Sequence, residues 1–209
     1  MATFIDVFGL AMVVTVAYQI VSRLPAGAGA RVAHVVVGLI GLYGCVGFVA
    51  QFAAGAGGLR FIPSSFEWPV LRPETMAVDS EGRTIVGLAS TGRVQVYDPQ
   101  GRFVTGWFVE AGGGSFKLQV TSSDQIEVFT ARGERRLVYD ASGTLVDKGT
   151  FAPTAYEAVV THPSTGREVR STWPLWPLAS SLVAWSLFAF GMLGSILPEL
   201  LARRSSGRF

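Results

Sequence analysis

From Val32 to Ala54 the chain runs through 23 residues without a charge. A helix needs about 20 apolar residues to cross the ~30 Å hydrocarbon core of a bilayer, so this stretch predicts a transmembrane helix. A second uncharged run of similar length covers Leu175 to Leu197. A shorter run, Phe4 to Val21, has only Asp6, Thr15 and Gln19 as clearly polar members. Asp6 would stand at headgroup level, where an acid also favours a helix N-terminus. Three transmembrane helices are therefore expected, at about 4–22, 32–54 and 175–197. The first two and a short loop make up 1–58; the third and a tail make up 173–209. These runs account for a charged fraction of 15%, against about 25% in an average soluble protein, and they exclude a water-soluble enzyme. A hydrophobic content of 49% with a net charge of +2 excludes intrinsic disorder as well. A single cysteine, Cys45, excludes an internal disulfide framework.

Ala26-Gly27-Ala28 would suit signal-peptide cleavage, but no positive residue precedes Phe4, and the nearest ones, Arg23 and Arg31, follow the run. The first run is read as an anchor. Arg23 and Arg31 stand in the first loop without an acid, and the tail carries Arg203, Arg204 and Arg208 against Glu199. The positive-inside tendency puts both on the cytoplasmic side. The N-terminus and the block 59–172 then lie outside, in the periplasm of a bacterial-type inner membrane. Trp68, Trp173 and Trp176 flank the block and read as interfacial anchors, with packing of Trp68 in a β core as the alternative. Pro174 and Pro177 suit the start of the third helix.

Inside the block the periodicity turns from helical to alternating. Thr84–Leu88, Arg93–Tyr97 and Phe116–Val120 read as strands, separated by turn signals about ten residues apart. Sliding the chain by 42 residues lays Arg93-Val94-Gln95-Val96-Tyr97-Asp98-Pro99-Gln100-Gly101 on Arg135-Arg136-Leu137-Val138-Tyr139-Asp140-Ala141-Ser142-Gly143, without a gap. Val78, Val86 and Val104 fall on Val120, Val128 and Val146. A period of 40–50 residues with four short strands per unit marks propeller blades. In each unit an Asp opens the turn and a Gly supplies the positive φ.

Val78-Asp79-Ser80-Glu81-Gly82 followed by Arg93 to Phe103 resembles an NHL-type β-propeller repeat, over about residues 75–150. The resemblance implies a binding platform for proteins or nucleic acid more often than an enzyme. A closed propeller needs about four blades, and this chain has two, with a terminal hairpin expected from Ala155–Thr161 and Arg167–Thr172. Two blades leave sheet edges that invite another chain. A compact two-sheet module, edge coverage by a partner, and a homotrimer forming a six-bladed ring all meet that need, the first ranking ahead of the others.

Candidate chemistry is sparse. His162 falls in a turn with no ligand-type neighbour. His34, near the cytoplasmic end of the second helix, could ligate a haem or pigment metal, but helix packing or headgroup contact is the simpler role, and no cofactor or metal is expected. No Gly-x-Ser-x-Gly or Ser-x-x-Lys occurs, so no catalytic residue is assigned. The run Ala111-Gly112-Gly113-Gly114-Ser115 lacks the Gly-Lys-Ser/Thr of a P-loop and is read as an inter-blade loop. Asp79, Asp98, Asp124 and Asp140 read as turn formers. Arg132, Arg135 and Arg136 cluster locally, yet the block holds 12 basic and 13 acidic residues, which speaks against nucleic acid. Trp107-Phe108 is a candidate docking pair, with a core position as the alternative. Gly38, Gly41, Gly44 and Gly47, with Gly191 and Gly194, are candidates for close helix packing, within the chain or against a partner.

The expected protein is thus a membrane protein with three transmembrane α-helices and an inserted all-β antiparallel extracytoplasmic module of two blade-like sheets. Its expected role is a non-catalytic accessory or scaffolding subunit of a larger membrane complex, a bioenergetic one among the candidates, with other membrane subunits and the lipid bilayer as partners. A membrane-anchored extracytoplasmic binding or sensor protein is the alternative.

Overall fold

The structure, a computed structural model, describes residues 2–25, 27–70, 73–159, 169, 175 and 179–205, and of 2–8 and 197–205 the backbone alone. In chain order the elements are α1 (Ala2–Ser22), α2 (Ala28–Gly55), β1 (Thr75–Val78), β2 (Thr84–Leu88), β3 (Arg93–Tyr97), β4 (Phe103–Phe108), β5 (Phe116–Val120), β6 (Ile126–Thr130), β7 (Arg135–Tyr139), β8 (Leu145–Thr150), α3 (Pro153–Ala158) and α4 (Ser181–Ser205). They form two compact units, one from Thr3–Gln51 with Leu175–Phe209, the other Phe52–Pro174.

The helical unit joins α1, α2 and α4 around Cys45, which is fully buried among Val16, Ile20, Leu42, Phe188 and Met192. Two helix starts differ from the apolar runs. α2 begins at Ala28, where the Arg31 amide donates to the Gly27 carbonyl, so Arg31 belongs to its first turn. α4 begins at Ser181, six residues after the apolar run does, because Ser180 caps it. The Ser180 hydroxyl accepts the Val183 amide at 3.4 Å and its carbonyl accepts the Ala184 amide. α4 then continues past Leu197 through Arg203 and Arg204, which are good helix formers but invisible to an apolar-run criterion. Among the described residues one helix, Ala28–Gly55, is long and apolar enough to cross a membrane; the apolar stretches Gly9–Ser22 and Ser181–Ile196 are shorter.

The second unit is two four-stranded antiparallel sheets, ordered β1-β2-β3-β4 and β5-β6-β7-β8. Each sheet is one copy of the 42-residue repeat, down to its irregularities. Thr84 pairs with Tyr97 as Ile126 pairs with Tyr139, and a register shift at Val96/Tyr97 recurs at Val138/Tyr139. The sheets share one core, with Ile85, Val94 and Val96 from the first against Leu118, Val128 and Leu137 from the second.

These sets are not equivalent under the repeat. Val128 and Leu137 correspond to Val86 and Gln95, which lie on the other face of the first sheet, because successive side chains of a strand alternate. The sheets therefore stack head to tail, as successive propeller blades do, and each exposes a different outer face. Both outer faces are covered from within the chain. Residues 63–70 lie over Arg93, Gln95 and Tyr97 of the first sheet. Phe151 and Tyr156 cover the second, where Phe129 meets Phe151 at 5.2 Å and the Lys117 ammonium donates to the Tyr156 carbonyl at 2.9 Å. Tyr156 sits on α3, so Ala155 to Ala158 is helical and not the first arm of a hairpin. Pro153 at its first turn sets that conformation. Of the remainder of the expected hairpin only Val159 and Val169 are among the described residues, and His162 lies outside them.

The four hairpin turns at one end of the module share one device. The Asp98 carboxylate accepts the Gln100 and Arg102 amides at 2.9 and 2.8 Å and the Arg102 guanidinium at 2.7 Å. Asp79 and Asp140 accept the same two amides in their turns. Gly82, Gly101 and Gly143 take positive φ three residues on. The fourth turn swaps the parts: Thr121 stands in the place of the Asp, and Asp124, at φ 57°, in the place of the Gly. The displaced carboxylate reaches across to the other sheet and accepts the amide and hydroxyl of Ser80, at 2.9 and 2.5 Å.

These bonds hold the carboxyls below their ordinary range: Asp98 through the Arg102 amide, Asp124 through the Ser80 hydroxyl, Asp140 through the Ser142 hydroxyl. In an unfolded chain they titrate near 3.9. Their contribution to stability is therefore complete above about pH 4 and is lost as pH falls through the lower folded values. Acid unfolding followed by circular dichroism is expected to show that dependence, and D98N/D140N to make it shallower. Asp124→Gly, which keeps the positive φ and deletes the Ser80 clasp, is expected to flatten it further.

Candidate functional site

Gly38, Gly41 and Gly44 of α2 are spent on contacts inside the helical unit. A methyl group on Gly41 would stand 2.9 Å from the Gly191 Cα, so α2 and α4 cross with backbones touching. At Gly44 it would stand 2.6 Å from the Ala184 carbonyl oxygen, and at Gly38 2.7 Å from Ile20 of α1. Gly194 lies against Val37, and Gly47 is buried. Of the two uses open to these residues, packing within the chain is the one the structure contains. What remains outward is large and apolar: Leu10, Val14 and Tyr18 on α1, Leu39 on α2, and Leu182 and Leu193 on α4 are all more than half exposed.

His34 is 9% exposed and its Nε2–H donates to the Ile20 carbonyl at 3.1 Å. That carbonyl belongs to the last turn of α1, where the final four carbonyls lack an intrahelical partner. The histidine thus ties α2 to the end of α1, which is helix packing. It also lines an open cavity of about 620 Å³ with Arg23, Pro25, Val37 and Ser195. Among the described residues no group of three or more His, Cys, Asp or Glu is placed to hold a metal ion.

Trp68 is 2% exposed and sits on the first sheet, edge-on to Phe66 and Phe108. It occupies the β-core position, because residues 63–70 serve as the cover of that sheet. Trp173 and Trp176 lie outside the described residues. Under the cover runs a polar network. The Gln95 amide donates to the Trp68 carbonyl and the Tyr97 hydroxyl, both at 2.9 Å, and its oxygen accepts the Trp68 amide at 2.5 Å. The Tyr97 hydroxyl donates to Glu67 at 3.1 Å, and burial, then the Glu67 charge, pushes its pKa up. Arg93, 0% exposed, donates to the Phe66 and Pro63 carbonyls at 2.6 and 3.3 Å and lies 4.8 Å over the Phe108 ring. Its Nη1 has no partner among the described residues. Burial pulls the guanidinium down to about 10, still charged at neutral pH. The sequence contained these residues as strand positions; only the covering segment turns them into a buried site.

Trp107 and Phe108 are half-buried and engaged within the module. The Trp107 ring is 5.6 Å from Tyr139 and fills the space left by Gly143, while Phe108 lies between Arg93 and Trp68. They do not form an exposed docking pair. Among the described residues of this unit the exposed large apolar side chains are Phe52, Phe61, Val104, Leu145 and Val146. The last two open β8, which is exposed along nearly its whole length and pairs on one side only, with β7. β4, the corresponding strand of the first sheet, has its edge touched by the cover, where the Gly106 amide donates to the Ser64 carbonyl at 2.9 Å. The local basic cluster splits. Arg136 pairs with Glu127 and Asp147, while Arg132 and Arg135 bond the carbonyls of Gly112 and Glu110.

No protein-family model matches the chain, and no curated protein matches it. Function therefore rests on these surfaces alone.

Proposed function

We propose that the chain is a non-catalytic accessory subunit of a larger membrane complex. α1, α2 and α4 lie in the bilayer, and the two-sheet module stands on the outer side of the kind of membrane that bounds a bacterial cytoplasm. The apolar faces on all three helices support the bilayer reading, since soluble proteins rarely expose such patches. Arg23 and Arg31 on one side support the orientation. The head-to-tail stacking of the sheets supports kinship with NHL-type blades. Cover of both outer faces favours one copy over a trimeric ring, since no face is left for a further blade.

The observation that carries the subunit reading is β8. It is an edge strand with both faces exposed and Leu145 and Val146 about half exposed at its start. Natural edges are blunted by charge, proline or cover, and the start of β8 has none of these. A partner that adds a strand or packs on this pair satisfies the edge. Purification of the tagged chain from its native membranes in mild detergent is expected to bring down stoichiometric membrane partners. L145K/V146K is expected to lose them at least about tenfold while the module keeps its fold, each interface anchor contributing more than ~1 kcal/mol. A lone monomer from the native chain, holding a soluble ligand, would instead support a binding or sensor protein.

A further inference from the structure

The two ends of the β module differ in charge. The strand registers place the turns 79–83, 98–102, 121–125 and 140–144 together at one end, and the loops 89–92, 109–115 and 131–134 at the other. The first end carries Asp79, Glu81, Asp98, Asp124 and Asp140 against Arg83 and Arg102. At the second, Arg60, Arg132, Arg135 and Lys148 outnumber Glu74, Glu110 and Glu134. Glu74 is occupied by the Ser90 amide at 2.9 Å. Glu110 is shared among three cations, Arg60 at 3.4 Å, Lys148 at 3.6 Å and Arg135 at 3.8 Å. One carboxylate among three cations leaves an excess of positive charge at the surface.

The glycine run lies in the middle of this end. Arg132 and Arg135 hold its carbonyl side through Gly112 and Glu110, at 3.1 and 2.8 Å. Gly112 and Gly113 take successive positive φ of 63° and 72°, and their amides have no acceptor among the described residues. Both line a cleft of about 40 Å³ with Gly55, Gly57, Arg60 and Phe108. Consecutive backbone amides in a glycine turn beside guanidinium groups form an anion-binding concavity, and arginine matches phosphate geometrically. The segment 52–58, through which the chain enters the module from α2, belongs to this same end.

We infer that this end of the module docks on phosphate groups of anionic phospholipid headgroups, through Arg60, Lys148 and Arg132 with the Gly112 and Gly113 amides. The inference rests on the reading of α2 as a membrane span: the chain that leaves the bilayer at Gly55 enters the module at its basic end. Cations near an anionic leaflet attract it electrostatically, each adding about fivefold in affinity.

The test uses the full chain in a neutral detergent, offered equimolar phosphatidylglycerol and phosphatidylcholine and read by native mass spectrometry. The native chain is expected to retain phosphatidylglycerol over phosphatidylcholine by about tenfold or more. R60Q/K148Q, which leaves the Arg132 and Arg135 bonds to the loop in place, is expected to fall to near parity. R83Q/R102Q, the same loss of two charges at the far end, is expected to retain the preference. Equal retention of both lipids by the native chain, or an undiminished preference in R60Q/K148Q, overturns the inference. So does displacement of the lipid by an equal concentration of inorganic phosphate, which would make free phosphate the ligand. Alkaline extraction from phosphatidylcholine vesicles separates the two layers of the account. A chain that washes off overturns the span and the inference together; one that stays without lipid preference overturns the inference alone.

Discussion

Replacing Gly41 with leucine is expected to separate α2 from α4 and unfold the helical unit, at a cost of about 3 kcal/mol or more. Even a methyl group would meet the Gly191 Cα at 2.9 Å, and backbone cannot yield as a side chain can. With the helices in a bilayer, as proposed, close approach and the dispersion contacts it permits are the main source of helix association, which leaves no compensating burial. Gly29→Leu is the matched control. It lies in the first turn of the same helix with nothing within 4 Å, and is expected to leave stability unchanged. Thermal unfolding in detergent, with both variants beside the parent, reads the difference. If the glycines instead served a partner, Gly41→Leu would fold normally and only the complex would be lost.

The second large effect is expected at Arg93. Alanine there opens a cavity under residues 63–70 and leaves the Phe66 and Pro63 carbonyls without their donor, together about 3 kcal/mol or more. Methionine, which fills the space and removes a desolvated charge, is expected to cost much less. The sign of the charge effect follows from the lowered value, about 10, below the ordinary range of a guanidinium. A base whose folded-state pKa is depressed costs stability throughout the range below pH 10 and is relieved only as pH rises above it. Urea unfolding of the three forms, followed by far-ultraviolet circular dichroism and intrinsic tryptophan fluorescence, checks the order Arg, Met, Ala. An alanine variant as stable as the parent would mean that the covering segment does not depend on this cation.

The repeat was the most legible part of the sequence, because a 42-residue offset preserves the strands, the turn aspartates and the register shift. The turn at Thr121–Gln125 follows the same plan with its Asp and Gly positions exchanged, so that Asp124 reads as another turn former and its link to Ser80 goes unseen. Head-to-tail stacking is not written in any one strand. It emerges from which face of each copy the flanking segments cover, and that also decides Trp68. A tryptophan beside an apolar run looks like an interfacial anchor until the chain between α2 and β1 is known to fold back over a sheet. The start of α4 was hidden because Ser180, a capping residue, sits inside an apolar run. Of the basic cluster, Arg132 and Arg135 were adjacent in sequence, whereas Arg60 and Lys148 join them only through the hairpin topology. Arg136, next in line, faces the other side of β7 and pairs with Glu127.

Topology tests the central claim, a helical unit in the bilayer that holds the β module outside. Cys45 is the one cysteine of the chain; with Cys45 changed to alanine, a single new cysteine can be placed at Gln100 in the acidic turns, or at Gly29 in the first turn of α2. Both positions are exposed. A membrane-impermeant maleimide applied to intact cells is expected to label Gln100→Cys at once, and Gly29→Cys only after the membrane is opened. Labelling in the reverse order, or of both sites only after lysis, would contradict the account.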